Sequence, residues 1–182
     1  MDHPDFVQPE KIVWQGRFIT AKTRGNWEYV GRARDIRAAV ILAVEDGHVL
    51  LVEQFRVPLG RNCIELPAGL IGDDGGHEGE DELAAAGREL EEETGWRAAR
   101  LEDCGRFYSS PGMVSESFTL VRASGLSQVG AGGGVEGEGI IPHRVALAGL
   151  EEFLAAKRAE GCALDVRLLI LLGAGLVAGE RT

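Results

Sequence analysis

The stretch IRAAVILAVEDGHVLLVEQF, residues 36–55, constrains the fold more than any other part of the chain. Two apolar runs flank Asp46-Gly47, a dipeptide that tolerates the positive φ of a tight hairpin turn. A hairpin joins antiparallel strands, so its sheet cannot consist of βαβ units alone. Further short runs rich in aromatic and β-branched residues read as strands: KIVWQGRFI (11–19), NWEYVGR (26–32), CIEL (63–66, stopped by Pro67), Leu101–Tyr108, Ser117–Ala123 and IIPHRVAL (140–147). Helices are expected over Glu80–Thr94, with Gly95 at the C-cap, over Leu147–Glu160 and over Leu164–Val177. Strands mixed with few helices imply an α+β fold with a mixed sheet.

The 182 residues are 45% hydrophobic, enough for one domain with a sizeable core. The formal net charge of -10 and the lack of a basic patch argue against nucleic acid or an anionic membrane as partner. Phosphates remain possible ligands if metal ions supply the positive charge. Cys63, Cys104 and Cys162 are far apart and odd in number, so reduced thiols of a cytoplasmic protein are expected. The start, MDHPDFVQPEK, has no basic or apolar run of a signal peptide. The apolar stretch 168–179 falls short of the roughly 20 residues that span a bilayer, and reads as a buried C-terminal helix.

The expected first helix carries Glu89, Glu92 and Glu93 within one sector of roughly 100°, while Glu91 points elsewhere. Carboxylates on one stripe repel and raise each other's pKa. They either stay in water or are neutralised by a hard divalent cation, and oxygen-only ligands suit Mg²⁺ or Mn²⁺. On its own such a triplet reads as a solvated acidic face.

The wider pattern is more specific. RELEEETGW, traced back through seven residues to Glu80 and further to Gly69 of ELPAG, resembles the Nudix box. Glu80, Arg88, Glu89, Leu90, Glu92, Glu93, Gly95 and Trp96 match it. Ten residues separate Gly69 from Glu80 where the family has five. The extra length falls in the soft run GDDGGHEG, 72–79, and leaves the register from Glu80 to Gly95 intact, so a lengthened loop with a solvent-facing His77 is expected. LLVEQFRVPLGRNCIELPAGLI, together with Pro111 sixteen residues after Gly95, is similar to the ADP-ribose pyrophosphatase branch, which includes enzymes acting on ADP-sugars.

The resemblance implies a Nudix α/β/α sandwich across 36–178, with a strand region over about 1–35 that helps form a homodimer. It implies two or more Mg²⁺ ions, or Mn²⁺, held by Glu89, Glu92, Glu93 and the Ala68 carbonyl, with Arg88 and Glu80 in support. It implies that the glycine-rich loop QVGAGGGVEGEG, 128–139, brings in Glu136 and Glu138 as catalytic base and last metal ligand, Glu138 being the stronger candidate. In an extended loop these two acids point the same way, and Glu116 is the next candidate base. Trp27, Glu28, Arg32, Arg56 and Leu70 match positions that bind the adenosine and diphosphate. Plainer readings stand beside these: Trp27 as a strand or interface aromatic, Arg56 as a surface ion pair, the glycine loop as a surface turn. Trp14 reads equally as a second stacking ring or as core, Trp96 as core, and His48 and His143 as structural or exposed. The implied activity is hydrolysis of ADP-ribose to AMP and ribose 5-phosphate. The alternatives are another nucleotide sugar such as GDP-mannose, or a ligand-binding module without turnover.

Overall fold

Asp46 and Gly47 take φ of 50° and 68° and turn the chain as expected. The structure is a computed structural model that describes residues 3–33, 37–71 and 81–178, with side chains through residue 173. Glu80, His77 and the soft run at 72–79 lie outside the described residues.

The N-terminal region forms a three-stranded antiparallel sheet of β1 (Lys11–Gln15), β2 (Ile19–Arg24) and β3 (Trp27–Arg32). KIVWQGRFI, expected as one strand, is two, because the chain turns at Gly16, whose N–H donates to the Ile19 carbonyl at 2.9 Å. The Trp14 ring folds over Gly16, where any Cβ would overlap it, and stays 56% exposed, so it is not core.

The hairpin strands are β4 (Arg37–Glu45) and β5 (His48–Arg56). They pair only at Val44↔Val49 and Glu45↔His48, and then part. β5 continues with β6 (Arg61–Glu65) on one edge. β4 continues with β7 (Ala68–Ile71), a short strand that four residues after Pro67 gave no reason to expect. The first helix, α1 (Glu82–Thr94), is capped by the Asp81 carboxylate, which accepts from the N–H groups of Leu83 and Ala84, and ends at Gly95 with φ 75°. β8 (Trp96–Tyr108) begins directly after it, five residues earlier than expected, and returns antiparallel beside β9 (Ser117–Gln128). β9 lies parallel to β4. β10 (Ile141–Ala146) pairs with β5, α2 spans Leu150–Ala159, β11 (Ala163–Leu164) pairs parallel with β6, and α3 spans Leu169–Ala178.

Alternation along β4 divides the core in two. Ala39, Ile41 and Ala43 face α1 with Ala85, Ala86 and Leu90. Val40 faces the other side with Leu51, Ile64, Leu150, Leu154 and Leu168. The sheet is thus sandwiched between α1 and the pair α2, α3. Trp96 packs half-buried on the first cluster, under the Arg144 guanidinium.

One charge is buried in the α2 layer. Glu53, 5% exposed, accepts hydrogen bonds from Asn62 Nδ2 (2.8 Å), His143 Nε2 (3.0 Å) and Lys157 Nζ (3.0 Å). These tie β6, β10 and α2 to β5. His143 also meets the Phe153 ring edge-on, so it is structural. Burial alone would raise the Glu53 carboxyl, but the bonds from Asn62, Lys157 and His143 outweigh it and hold the pKa at about 2. A carboxyl held low in the folded state adds stability that is full above its ordinary pKa and lost as pH falls from there toward 2. Glu53→Gln is expected to cost roughly 2–3 kcal/mol at neutral pH, and progressively less as the pH falls below 4. Urea denaturation across pH checks this, and parallel curves for the two proteins would contradict it.

Candidate active site

The acidic stripe of α1 faces β7. Glu93 is 7% exposed, and its Oε2 accepts the Ala68 N–H at 3.0 Å. Glu89 lies over Gly69, where any Cβ would overlap its Cγ and Cδ. Arg88 Nη1 sits between Glu89 Oε1 (3.0 Å) and Glu92 Oε2 (3.1 Å). Glu91 points away and pairs with Arg97 through two contacts of 2.9 Å.

Burial pushes the Glu93 carboxyl up to about 8, against the Ala68 N–H and the Arg56 charge, with the Glu89 and Glu138 charges adding to the rise. Glu89 is raised as well, first by burial and then by Glu92 and Glu138, with Arg88 opposing. The helix offers no relief of its own, since its last turn has no basic residue and its negative dipole end lies there.

The glycine-rich loop is docked on this helix end. Gly133 N–H donates to the Glu93 carbonyl and Gly134 N–H to the Glu92 carbonyl, both at 2.9 Å. Val129 and Gly130 both donate to the Gly95 carbonyl. Gly132 has φ 70°, and a Cβ there would overlap the backbone of Thr94. The first half of the loop is therefore a built contact rather than a free surface turn. Past Gly134 the chain does not run extended. A turn closes with Glu138 N–H donating to the Val135 carbonyl at 3.2 Å, so Glu136 and Glu138 are not side by side on one strand face. Glu138 Oε2 accepts the Val135 N–H, and its charge is felt by Glu89 and Glu93. Glu136 is exposed at the turn.

Arg56 lies near enough to Glu93 for its charge to act on that carboxyl. Its guanidinium grips Glu65 through Nε (2.6 Å) and Nη2 (2.8 Å), and the side chain is 41% exposed. It is an ion pair, but one rooted in a buried partner. Sequence reasoning missed that partner and Arg167, whose Nη2 reaches Glu65 Oε2 at 3.1 Å. The only local signal was Asp165, two residues before Arg167 and capping the turn that precedes α3. Leu70 is half-buried in β7, beside Gly69.

The remaining residues gather elsewhere. Trp27 lines a cleft of about 680 Å³ with Phe6, Arg24, Tyr29, Pro111 and Val114. No residue of α1 or of the glycine loop lines it. Glu28 is exposed on β3. Arg32 is paired with Glu116, Nε to Oε1 at 2.7 Å, which engages the next candidate base.

Among the described residues, no three acid, histidine or cysteine side chains stand together ready to hold an ion. The donor set nevertheless fits a hard divalent cation. Glu93 is a buried carboxylate and Glu89 a partly buried one beside it, without sufficient countercharge, and Arg88 supplies a single positive charge where a dication would supply two. Gly69→Ala tests this. The nearest atoms to its Cβ all belong to the Glu89 side chain, which can rotate away, and none is backbone, so the melting temperature should hold. Displacing Glu89 should weaken Mn²⁺ binding about tenfold or more in a titration followed by electron paramagnetic resonance. Unchanged Mn²⁺ affinity would remove Glu89 from the site.

A family model described as the NUDIX domain matches residues 33–146. The ADP-ribose pyrophosphatase of Bacillus subtilis is 40% identical over 89 residues, which are 49% of this chain and 45% of that protein. The chain thus spans about half the length of that relative. An uncharacterised Nudix hydrolase of Schizosaccharomyces pombe is 35% identical over 87% of this chain and 80% of its own length. A crystal structure of an ADP compounds hydrolase superposes with a TM-score of 0.66 at 23% identity, covering 96% of this chain and 95% of that one.

Proposed function

This chain belongs to the Nudix family, and on that premise we propose that it hydrolyses the diphosphate of ADP-ribose, or of a related ADP-sugar, to AMP and a sugar phosphate such as ribose 5-phosphate. The observation that carries the reading is the under-compensated pair of carboxylates, Glu93 buried and Glu89 partly buried, with Arg56 and Glu138 near enough for their charges to act on it. The B. subtilis relative supports the choice of substrate class.

Bound Mg²⁺ or Mn²⁺, held by Glu89, Glu92, Glu93 and the Ala68 carbonyl, would neutralise the site and acidify water. Arg56 offers the part of its fork not used by Glu65 to the diphosphate. Glu138 takes the proton of the water whose oxygen attacks phosphorus, and the anhydride P–O bond breaks as AMP and the sugar phosphate separate. Arg88 keeps Glu89 and Glu92 oriented. Glu136, out at the turn, has the lesser part. With ADP-ribose and Mg²⁺, Glu93→Gln and Glu138→Gln should each lower kcat about 10²-fold or more while Glu91→Gln stays near wild type. A panel of ADP-ribose, other ADP-sugars and GDP-mannose, read by product identity on anion exchange, decides the substrate. Preference for GDP-mannose, or turnover of none, would overturn the reading.

Trp27 serves the base from a second copy of the chain. In support, its cleft lies apart from the acidic cluster, and Ile12, Val13, Trp14 and Phe18 leave the small sheet with apolar surface exposed. A homodimer is expected in sedimentation equilibrium, and Trp14→Glu is expected to yield monomers with lowered turnover. A fully active monomeric wild type would rule the arrangement out.

A further inference from the structure

Arg56 is one end of a chain of alternating charges. Its Nε and Nη2 are committed to Glu65, whose side chain is only 3% exposed. Glu65 Oε2 takes a second donor, Arg167 Nη2, at 3.1 Å. Arg167 in turn places Nε and Nη2 on Asp165 at 2.6 and 2.8 Å, and its backbone N–H donates to the same carboxylate at 2.7 Å. Its guanidinium carbon lies 5.9 Å from the centre of the Phe118 ring, which is stacked on Phe107. The Arg167 side chain is 20% exposed, so it is fixed from several sides. It comes from the turn before α3, 102 residues from Glu65.

The charges sum to zero: Arg56 and Arg167 contribute two positive, Glu65 and Asp165 two negative. Without Arg167 the sum under the outward face of Arg56 becomes one negative. Partly buried charges are screened little by salt, so an approaching diphosphate would meet that deficit. Glu65 would keep only the Arg56 fork as its charged partner, and the orientation of that pair would be less firmly fixed.

We propose that Arg167 is a positioning residue for diphosphate binding: it neutralises Glu65 from behind, so that Arg56 keeps both its orientation and its positive field for the substrate. The inference rests on the reading of this chain as an ADP-sugar diphosphatase in which Arg56 meets the diphosphate. Arg167 touches no reacting group, so its loss falls on binding. Removing a contact made equally in the ground and transition states raises KM and leaves kcat in place.

Four variants of the full-length protein, assayed with ADP-ribose and Mg²⁺ and checked by melting temperature, test it. Arg167→Gln is expected to raise KM about tenfold with kcat within about threefold. Arg167→Lys, which keeps the charge but not the fork, is expected to recover most of that loss. Asp165→Asn shifts the sum by one positive charge and is expected to leave KM unchanged or lower. Arg56→Gln is the control for the underlying reading and is expected to raise KM at least as much as Arg167→Gln. If Arg56→Gln raises KM while Arg167→Gln does not, the inference falls and the reading of Arg56 stands. If Arg56→Gln leaves KM unchanged, the diphosphate reading of Arg56 falls and takes the inference with it. If Arg167→Lys is as impaired as Arg167→Gln, or Asp165→Asn raises KM as Arg167→Gln does, charge compensation is wrong and the cluster is only a structural pin.

Discussion

The rest of this structure depends on withdrawing two carboxylates from water near the negative end of a helix, Glu93 almost wholly and Glu89 in part. Burial, mutual repulsion and the helix dipole all act against their charged forms. The surrounding elements supply partial answers. One β7 amide reaches Glu93, Arg88 stands between Glu89 and Glu92, and Arg56 approaches from β5. None of these delivers the double positive charge that would settle both carboxylates at once. Such an imbalance is the kind that a hard divalent cation would correct.

Two glycines make the arrangement possible for different reasons. Gly69 has an ordinary backbone conformation and is needed for room, since Glu89 lies where its side chain would be. Gly132 is needed for both room and conformation, because its φ is 70° and helix backbone lies against it. The first shapes the acid cluster, and the second brings the loop that carries Glu138 onto the same helix end. The carbonyls of Glu92 and Glu93 accept from that loop while their carboxylates serve the cluster, so one turn of helix organises both.

Features governed by neighbours in sequence were legible in advance. The Asp46-Gly47 hairpin, the Gly95 end of α1 and the division of Glu91 from Glu89, Glu92 and Glu93 follow from turn chemistry, capping and helical periodicity. What escaped was set by contacts between distant segments. β7 exists because β4 offers it an edge, and four residues carry no periodic signal of their own. Arg167 meets Glu65 from the far end of the chain, and Glu53 draws its partners from β6, β10 and α2. Glu136 and Glu138, expected on one face of an extended loop, are not side by side because the glycines permit a turn there. The Nudix resemblance identified the acids of α1 on their spacing, but it said nothing of the buried charges that hold Arg56.

The docking of the glycine-rich loop changes what it costs to use it. A wholly free loop over 128–139 would surrender the conformational freedom of twelve residues each time it closed on a ligand, at about 1–2 kcal/mol apiece. With Gln128 in β9 and 129–134 already bound to the end of α1, only the tip of five residues, 135–139, is left to arrange. Most of that entropy is surrendered during folding, once, rather than at every encounter with a substrate. The glycines that look like a source of looseness therefore act here as the means of preorganisation.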